Sequence, residues 1–102
     1  MSEQPMTLHV LVGCPFCTKC IMMAKICNID FQMKIYTHKK ELKTDEYLHL
    51  NPTAAAPTLV CDEGVLTDSE AIVRYFGYRA STSNILGATS FEIAQVDLLR
   101  KE

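Results

Sequence analysis

Leu8-His9-Val10-Leu11-Val12-Gly13-Cys14-Pro15-Phe16-Cys17 reads as a strand that runs through a tight turn into a helix. The apolar, partly β-branched run up to Val12 has the length and composition of a buried strand. Gly13 stops it. Pro15 suits the first turn of a helix, where its missing N–H is no loss. A helical pattern follows through Lys19, Ile21, Met22, Lys25 and Ile26. Cys14 therefore falls at a helix N-terminus, where free N–H groups and the helix dipole favour a thiolate. Cys17 lies one turn on. An attacking thiolate with a resolving thiol beside it is what disulfide exchange needs.

Outward from this stretch, residues 1–5 read as a short disordered lead-in and residues 6–12 as the first strand. The helix covers residues 14–27, with Ile21, Met22, Ala24 and Ile26 facing inward and Asn28 as its stop. Phe31, Met33 and Ile35 alternate with Gln32, Lys34 and Tyr36, the pattern of a half-buried strand. Strand, helix and strand in about 30 residues make a βαβ unit with parallel strands. Residues 37–43 read as a polar, basic loop. Thr44-Asp45-Glu46 caps a short helix to Leu50, which Asn51-Pro52 ends. Thr58 to Cys61 and Val65 to Thr67 form an antiparallel hairpin around Asp62-Glu63-Gly64. Asp68 or Ser69 then caps a helix with Ala71, Ile72, Tyr75 and Phe76 on one face, and Gly77 begins its end. Residues 79–87 read as a polar linker. Ser90 to Lys101 reads as a last amphipathic helix with Phe91, Ala94, Val96 and Leu98 on its apolar side.

The bulk properties bound the function. One domain fits 102 residues, and 48% hydrophobic residues suit a globular core. A formal charge of −2 gives no reason to expect nucleic acid or an anionic membrane as partner. The first residues lack the basic and apolar regions of a secretory signal, and no apolar run is long enough to span a bilayer. The expected setting is cytoplasmic, where thiols stay reduced. Five cysteines, an odd number, argue against a secreted disulfide framework.

Each candidate residue has a plainer explanation beside the chemical one. Cys14 and Cys17 could be small core residues, although CxxC at a strand end in a βαβ context is a redox pattern. Cys20 extends the spacing to C-x2-C-x2-C and lies roughly 300° round the helix from Cys17. A single helical turn does not readily present a tetrahedral ligand set, so a core or regulatory thiol is expected there and no metal. Cys27 and Cys61 read as core. His9 reads as a packing residue or an exposed alternate position, and His38 and His49 as surface. Helix capping alone would explain Asp68 and Ser69.

The element order is that of the thioredoxin-like fold. Asn51-Pro52, then Ala56-Pro57-Thr58-Leu59-Val60, then Leu66-Thr67-Asp68-Ser69-Glu70-Ala71-Ile72 resembles the N-terminal domain of glutathione S-transferases. The resemblance implies an α/β domain over residues 1–80, a mixed four-stranded sheet flanked by helices. Residues 81–102 resemble the linker and first helix of the all-helical second domain of those enzymes, which is otherwise missing from this sequence. By the same resemblance Pro57 is a cis-proline. The backbone of Ala56 would pair with the cysteinyl part of glutathione, and Asp68 and Ser69 would hold its γ-glutamyl end. Lys39, Lys40 or Lys43 would meet the glycyl carboxylate. Cys14-Pro15-Phe16-Cys17 stands where most such transferases have Tyr or Ser. It resembles the glutaredoxin motif and, at Cys14, the omega-class transferases, which form mixed disulfides with glutathione.

Two functions follow as expectations. One is a glutathione-dependent thiol–disulfide oxidoreductase, with glutathione as cosubstrate, Cys14 as nucleophile, Cys17 as resolving thiol, and Ala56, Pro57, Asp68 and Ser69 holding glutathione. The other is a non-catalytic interaction module, similar to domains in a translation elongation factor complex and in aminoacyl-tRNA synthetase assemblies, forming a homodimer or larger complex through its terminal helix. A conjugating transferase is disfavoured because the second domain supplies most of the co-substrate pocket.

Overall fold

The computed structural model describes residues 6–80. Its elements are β1 (Met6–Leu11), α1 (Pro15–Ile26), β2 (Phe31–Tyr36), a 3-10 turn (Lys39–Lys43), α2 (Asp45–Leu50), β3 (Thr58–Cys61), β4 (Gly64–Leu66) and α3 (Ser69–Ala80). The strands form one sheet in the order β2-β1-β3-β4. β1 pairs in parallel with β2, Met6 opposite Phe31, and antiparallel with β3, Leu8 opposite Leu59. β3 and β4 form the expected hairpin, Val60 opposite Val65. This is the thioredoxin-like architecture. The linker expected over residues 79–87 is corrected at its start, since residues 79 and 80 belong to α3; its remainder, the lead-in of residues 1–5 and the terminal helix expected from Ser90 to Lys101 lie outside the described residues. Among the described residues no helix is long and apolar enough to cross a membrane.

The two faces of the sheet differ in chemistry. Side chains alternate along a strand, so Met6, Leu8 and Val10 share one face with Leu59. They pack with Cys17, Cys20, Met23, Ala24 and Cys27 of the α1 segment and with Ile72, Val73 and Phe76 of α3. The buried stripe of α1 thus runs through its cysteines and Met23, while Ile21, Met22 and Ile26, expected inside, are only partly buried. Cysteines at positions 17, 20 and 27 repeat at helical spacing and fill the space against the sheet as small apolar residues do.

Three further expectations are corrected. β2 is an edge strand, and its apolar residues are not half-buried as a set. Met33 is 41% and Ile35 57% exposed, and only Phe31 packs on the core cluster. Gly77 does not begin the end of α3, which continues through it to Ala80. A Cβ at Gly77 would lie 3.3 Å from the Met23 methyl, so this glycine lets α3 approach α1 closely. Residues 37–43 are not a featureless loop. The Glu41 carboxylate accepts from the Thr37 and His38 N–H groups at 2.7 and 3.0 Å and closes the 3-10 turn that buries Leu42. Lys19 was also not foreseen as buried. It is 2% exposed and its Nζ has no hydrogen-bond partner among the described residues; the Nζ lies 5.8 Å from the centroid of the Phe16 ring.

The opposite face of the sheet is aromatic. His9 stacks on Tyr36 at 5.8 Å and meets the edge of Tyr47 at 5.9 Å, and its Nδ1 is 2.8 Å from the Tyr36 hydroxyl. Tyr36, expected on a solvated face, belongs to this packed layer. Burial lowers the His9 pKa below 6.5, Lys34 lowers it further, and Glu46 opposes them. The sign follows from linkage. An unfolded imidazole takes up a proton near pH 6.5, the folded one resists it, and stability falls as pH drops through the window just below that value. Urea midpoints at pH 7 and pH 5 should show a drop in the wild type and a smaller one in His9→Gln. An equal drop in both would assign it elsewhere.

Candidate functional site

The turn between β1 and α1 is built by residues with special backbone needs. Gly13 has φ of +83°, a left-handed conformation that favours glycine. The Cys14 N–H reaches back to the Leu11 carbonyl at 3.2 Å, and Pro15 starts the helix. Cys14 is the N-cap of α1, and its Sγ accepts the Cys17 N–H at 3.3 Å. A sulfur in place of the usual cap oxygen satisfies one of the orphan donors of the first turn. The Cys14 thiol also points at the Ala56 carbonyl, 3.9 Å away.

Cys17 is different in kind. It is 2% exposed, its Sγ accepts the Leu11 N–H at 3.4 Å, and burial pushes its pKa up to about 12. Cys20 is fully buried, donates to the Ser69 carbonyl at 3.6 Å, and is likewise pushed up to about 12 by burial. It is a core thiol at the α1–α3 contact. Cys27 is buried, and Cys61 is partly buried, its thiol directed at the Gly64 carbonyl at 3.6 Å.

Across from Cys14 stands the loop after α2. The Ala56–Pro57 peptide is cis, and Ala54 has φ of +56°, uncommon for a residue with a Cβ. Asn51, 1% exposed, holds this loop. Its Oδ1 accepts from the Thr53 N–H and hydroxyl at 3.1 and 2.7 Å, and its Nδ2 donates to the Ala55 carbonyl and Thr58 Oγ1 at 3.0 and 3.2 Å. Its own carbonyl accepts the Ala54 N–H at 3.0 Å. The sequence signalled Asn51 only as a helix stop; its role as a hub comes from the turn chemistry of Asn before a small-residue loop.

A cleft of about 490 Å³ lies between the 13–16 turn and the 54–56 loop, with Lys39 and Leu42 also lining it. It brings together Cys14 and Ala56 of the expected site residues. Cys17 and Pro57 lie buried beneath, and neither they nor Asp68 and Ser69 line it. Asp68 caps α3, its carbonyl accepting the Ile72 N–H at 2.9 Å, and Ser69 begins that helix. Of the three lysines considered for a carboxylate, Lys39 lines the cleft; Lys40 and Lys43 do not. The walls are otherwise apolar, so the cleft presents one thiol, one lysine side chain and the backbone of the 54–56 loop.

The profile of the family described as glutathione S-transferase, N-terminal domain, matches residues 13–78. Glutathione S-transferase stcT of Emericella nidulans is 39% identical over 77 residues, covering 74% of this chain and 34% of its own. Probable elongation factor 1-gamma 2 of Arabidopsis thaliana is 26% identical over 98 residues, 90% of this chain and 22% of its own. The solved glutathione S-transferase of the Antarctic clam Laternula elliptica superposes with a TM-score of 0.72 at 26% identity, covering 87% of this chain and 44% of that one. The chain thus spans 34% and 22% of the lengths of these two curated relatives. With the sheet order, the cis-proline loop and this match over most of its length, the chain belongs to the glutathione S-transferase N-terminal domain family.

Proposed function

We propose that the domain binds glutathione and carries out thiol–disulfide exchange at Cys14 in a reducing, cytoplasmic setting. The observation that carries this reading is the Cys14 sulfur itself, capping α1 through the Cys17 N–H and lying on the wall of a cleft whose other side is Ala56. The Cys14 thiolate attacks the glutathione sulfur of a mixed disulfide between glutathione and a substrate thiol. A Cys14–glutathione bond forms, the S–S bond breaks, and the substrate half leaves as a thiolate that takes a proton from solvent. A glutathione thiolate then attacks the sulfur of the bound glutathione, giving oxidised glutathione and free Cys14; alternatively Cys17 attacks Cys14 and expels glutathione. In this reading Lys39 meets a glutathione carboxylate, and Asp68 and Ser69 hold the γ-glutamyl end.

The test is mass spectrometry of the reduced protein after oxidised glutathione. One adduct, located on Cys14 and removed by excess glutathione, supports the reading. No adduct, or equal modification of all five cysteines, sinks it.

The similarity to elongation factor 1-gamma proteins over 90% of the chain favours a second reading, an interaction module in a larger assembly. On that reading Cys14→Ser leaves a complex intact, while a charge at Phe91 or Leu98 in the expected terminal helix disrupts it in a pull-down.

A further inference from the structure

We propose that Tyr47 is a positioning residue of the cleft: from beneath the sheet face its hydroxyl anchors the Ala55 carbonyl and thereby aims the Ala56 N–H toward the bound ligand. The inference rests on the glutathione reading above for its ligand, and on the following geometry for its cause.

Tyr47 is 1% exposed and belongs to the aromatic layer on the face opposite the main core. Its hydroxyl donates to the Ala55 carbonyl at 2.5 Å and lies 2.7 Å from Thr58 Oγ1. The proton count fixes the directions. A phenol has one proton, and it goes to Ala55. Thr58 must then donate to Tyr47, while Asn51 Nδ2 donates both to Thr58 Oγ1 and to Ala55. The Ala55 carbonyl therefore has two donors, both on the α2 side.

In a planar trans amide the C=O and the N–H of the next residue point in opposite directions. Anchoring the Ala55 oxygen on Tyr47 and Asn51 therefore turns the Ala56 N–H away from them. Among the described residues no acceptor receives it, and Ala56 lines the cleft opposite Cys14. Burial raises the Tyr47 pKa, and charge on Cys17 or Cys14 would raise it more, so the phenol keeps the proton it donates while a thiolate forms nearby.

The test compares two variants that preserve shape. Tyr47→Phe loses the bond to Ala55. Thr58→Val loses a buried hydroxyl of the same network but leaves Tyr47 bonded to Ala55. With a glutathione mixed disulfide of a small thiol as substrate and excess glutathione as reductant, Tyr47→Phe should raise KM about tenfold, the size expected for one hydrogen bond in a ligand-facing network. Its kcat should stay within about twofold, and alkylation of Cys14 by iodoacetamide, which needs no cleft binding, should not slow. Thr58→Val should keep a KM near wild type, although it too lowers the urea midpoint. Equal KM effects in both variants, or no KM effect in Tyr47→Phe, would overturn the proposal. If the wild type forms no glutathione adduct, the glutathione reading has failed, and the Ala56 amide decides the positioning role alone. Its NMR resonance should shift more in Tyr47→Phe than any amide outside residues 53–58, and a smaller shift than elsewhere would refute it.

Discussion

The Cys14→Ser variant is expected to lose glutathione-dependent exchange by roughly a thousandfold or more, because a hydroxyl neither ionises at neutral pH nor forms the mixed disulfide. The fold should survive. Cys14 is only partly buried, and a serine oxygen is a better N-cap than sulfur. Thermal denaturation within a few degrees of wild type, beside a lost glutathione adduct, would show that chemistry and not folding was removed. Cys17→Ser should behave otherwise. A buried thiol pushed up to about 12 is ionised to roughly one part in 10⁵ at pH 7, so resolution passes to glutathione from solution. This variant should keep its rate within about threefold and lose only the internal disulfide. A large loss in Cys17→Ser would mean that the intramolecular route dominates despite the burial. Full activity in Cys14→Ser would remove the oxidoreductase reading altogether.

The contrast between these two cysteines shows what the sequence could carry. Strand-turn-helix patterning placed Cys14 at a helix start because Gly13 and Pro15 are local signals, and local signals survive folding. The same holds for Thr44, whose hydroxyl caps α2 by accepting the Tyr47 N–H at 3.2 Å, and for Asn28, which leaves α1 with φ of +59°. Cys17 and Cys20 look alike in sequence but are assigned by what lies across from them, a strand N–H for one and the start of α3 for the other. Periodicity placed β2 at Phe31–Tyr36 but misjudged its burial for a related reason. Alternation reveals that a strand has two faces, but not that its neighbours stop short of covering one of them. Gly77 misled as a helix terminator because its cause, the Met23 methyl, is distant in sequence. The cleft-lining Lys39 and Leu42 come from a turn whose closure by Glu41 is local, and the spacing from Thr37 to Glu41 was the signal that could have found it.

The same reasoning predicts a large effect at a residue with no part in the chemistry. Asn51→Ala should destabilise the domain by about 3 kcal/mol, because it strips partners from the buried Thr58 hydroxyl, the Ala55 carbonyl and the Thr53 N–H at once. In a domain of this size that is a melting shift on the order of 15 °C. Asn51→Asp separates geometry from charge. The carboxylate can still accept from Thr53, but it presents oxygen where Nδ2 met two acceptors, and it is buried. Its folded pKa must rise above the unfolded value of about 3.9, so the folded state holds a proton that the unfolded state releases. Stability of this variant then falls as pH rises from about 4 toward the raised folded value, and is lowest near neutrality. Urea midpoints should therefore put Asn51→Asp below Asn51→Ala at pH 7 and close to or above it near pH 4, where the protonated acid can donate to Ala55. If the two variants keep the same order at both pH values, the side chain is not enclosed, and the loop that carries Ala54, Ala55 and Ala56 is held by something other than Asn51.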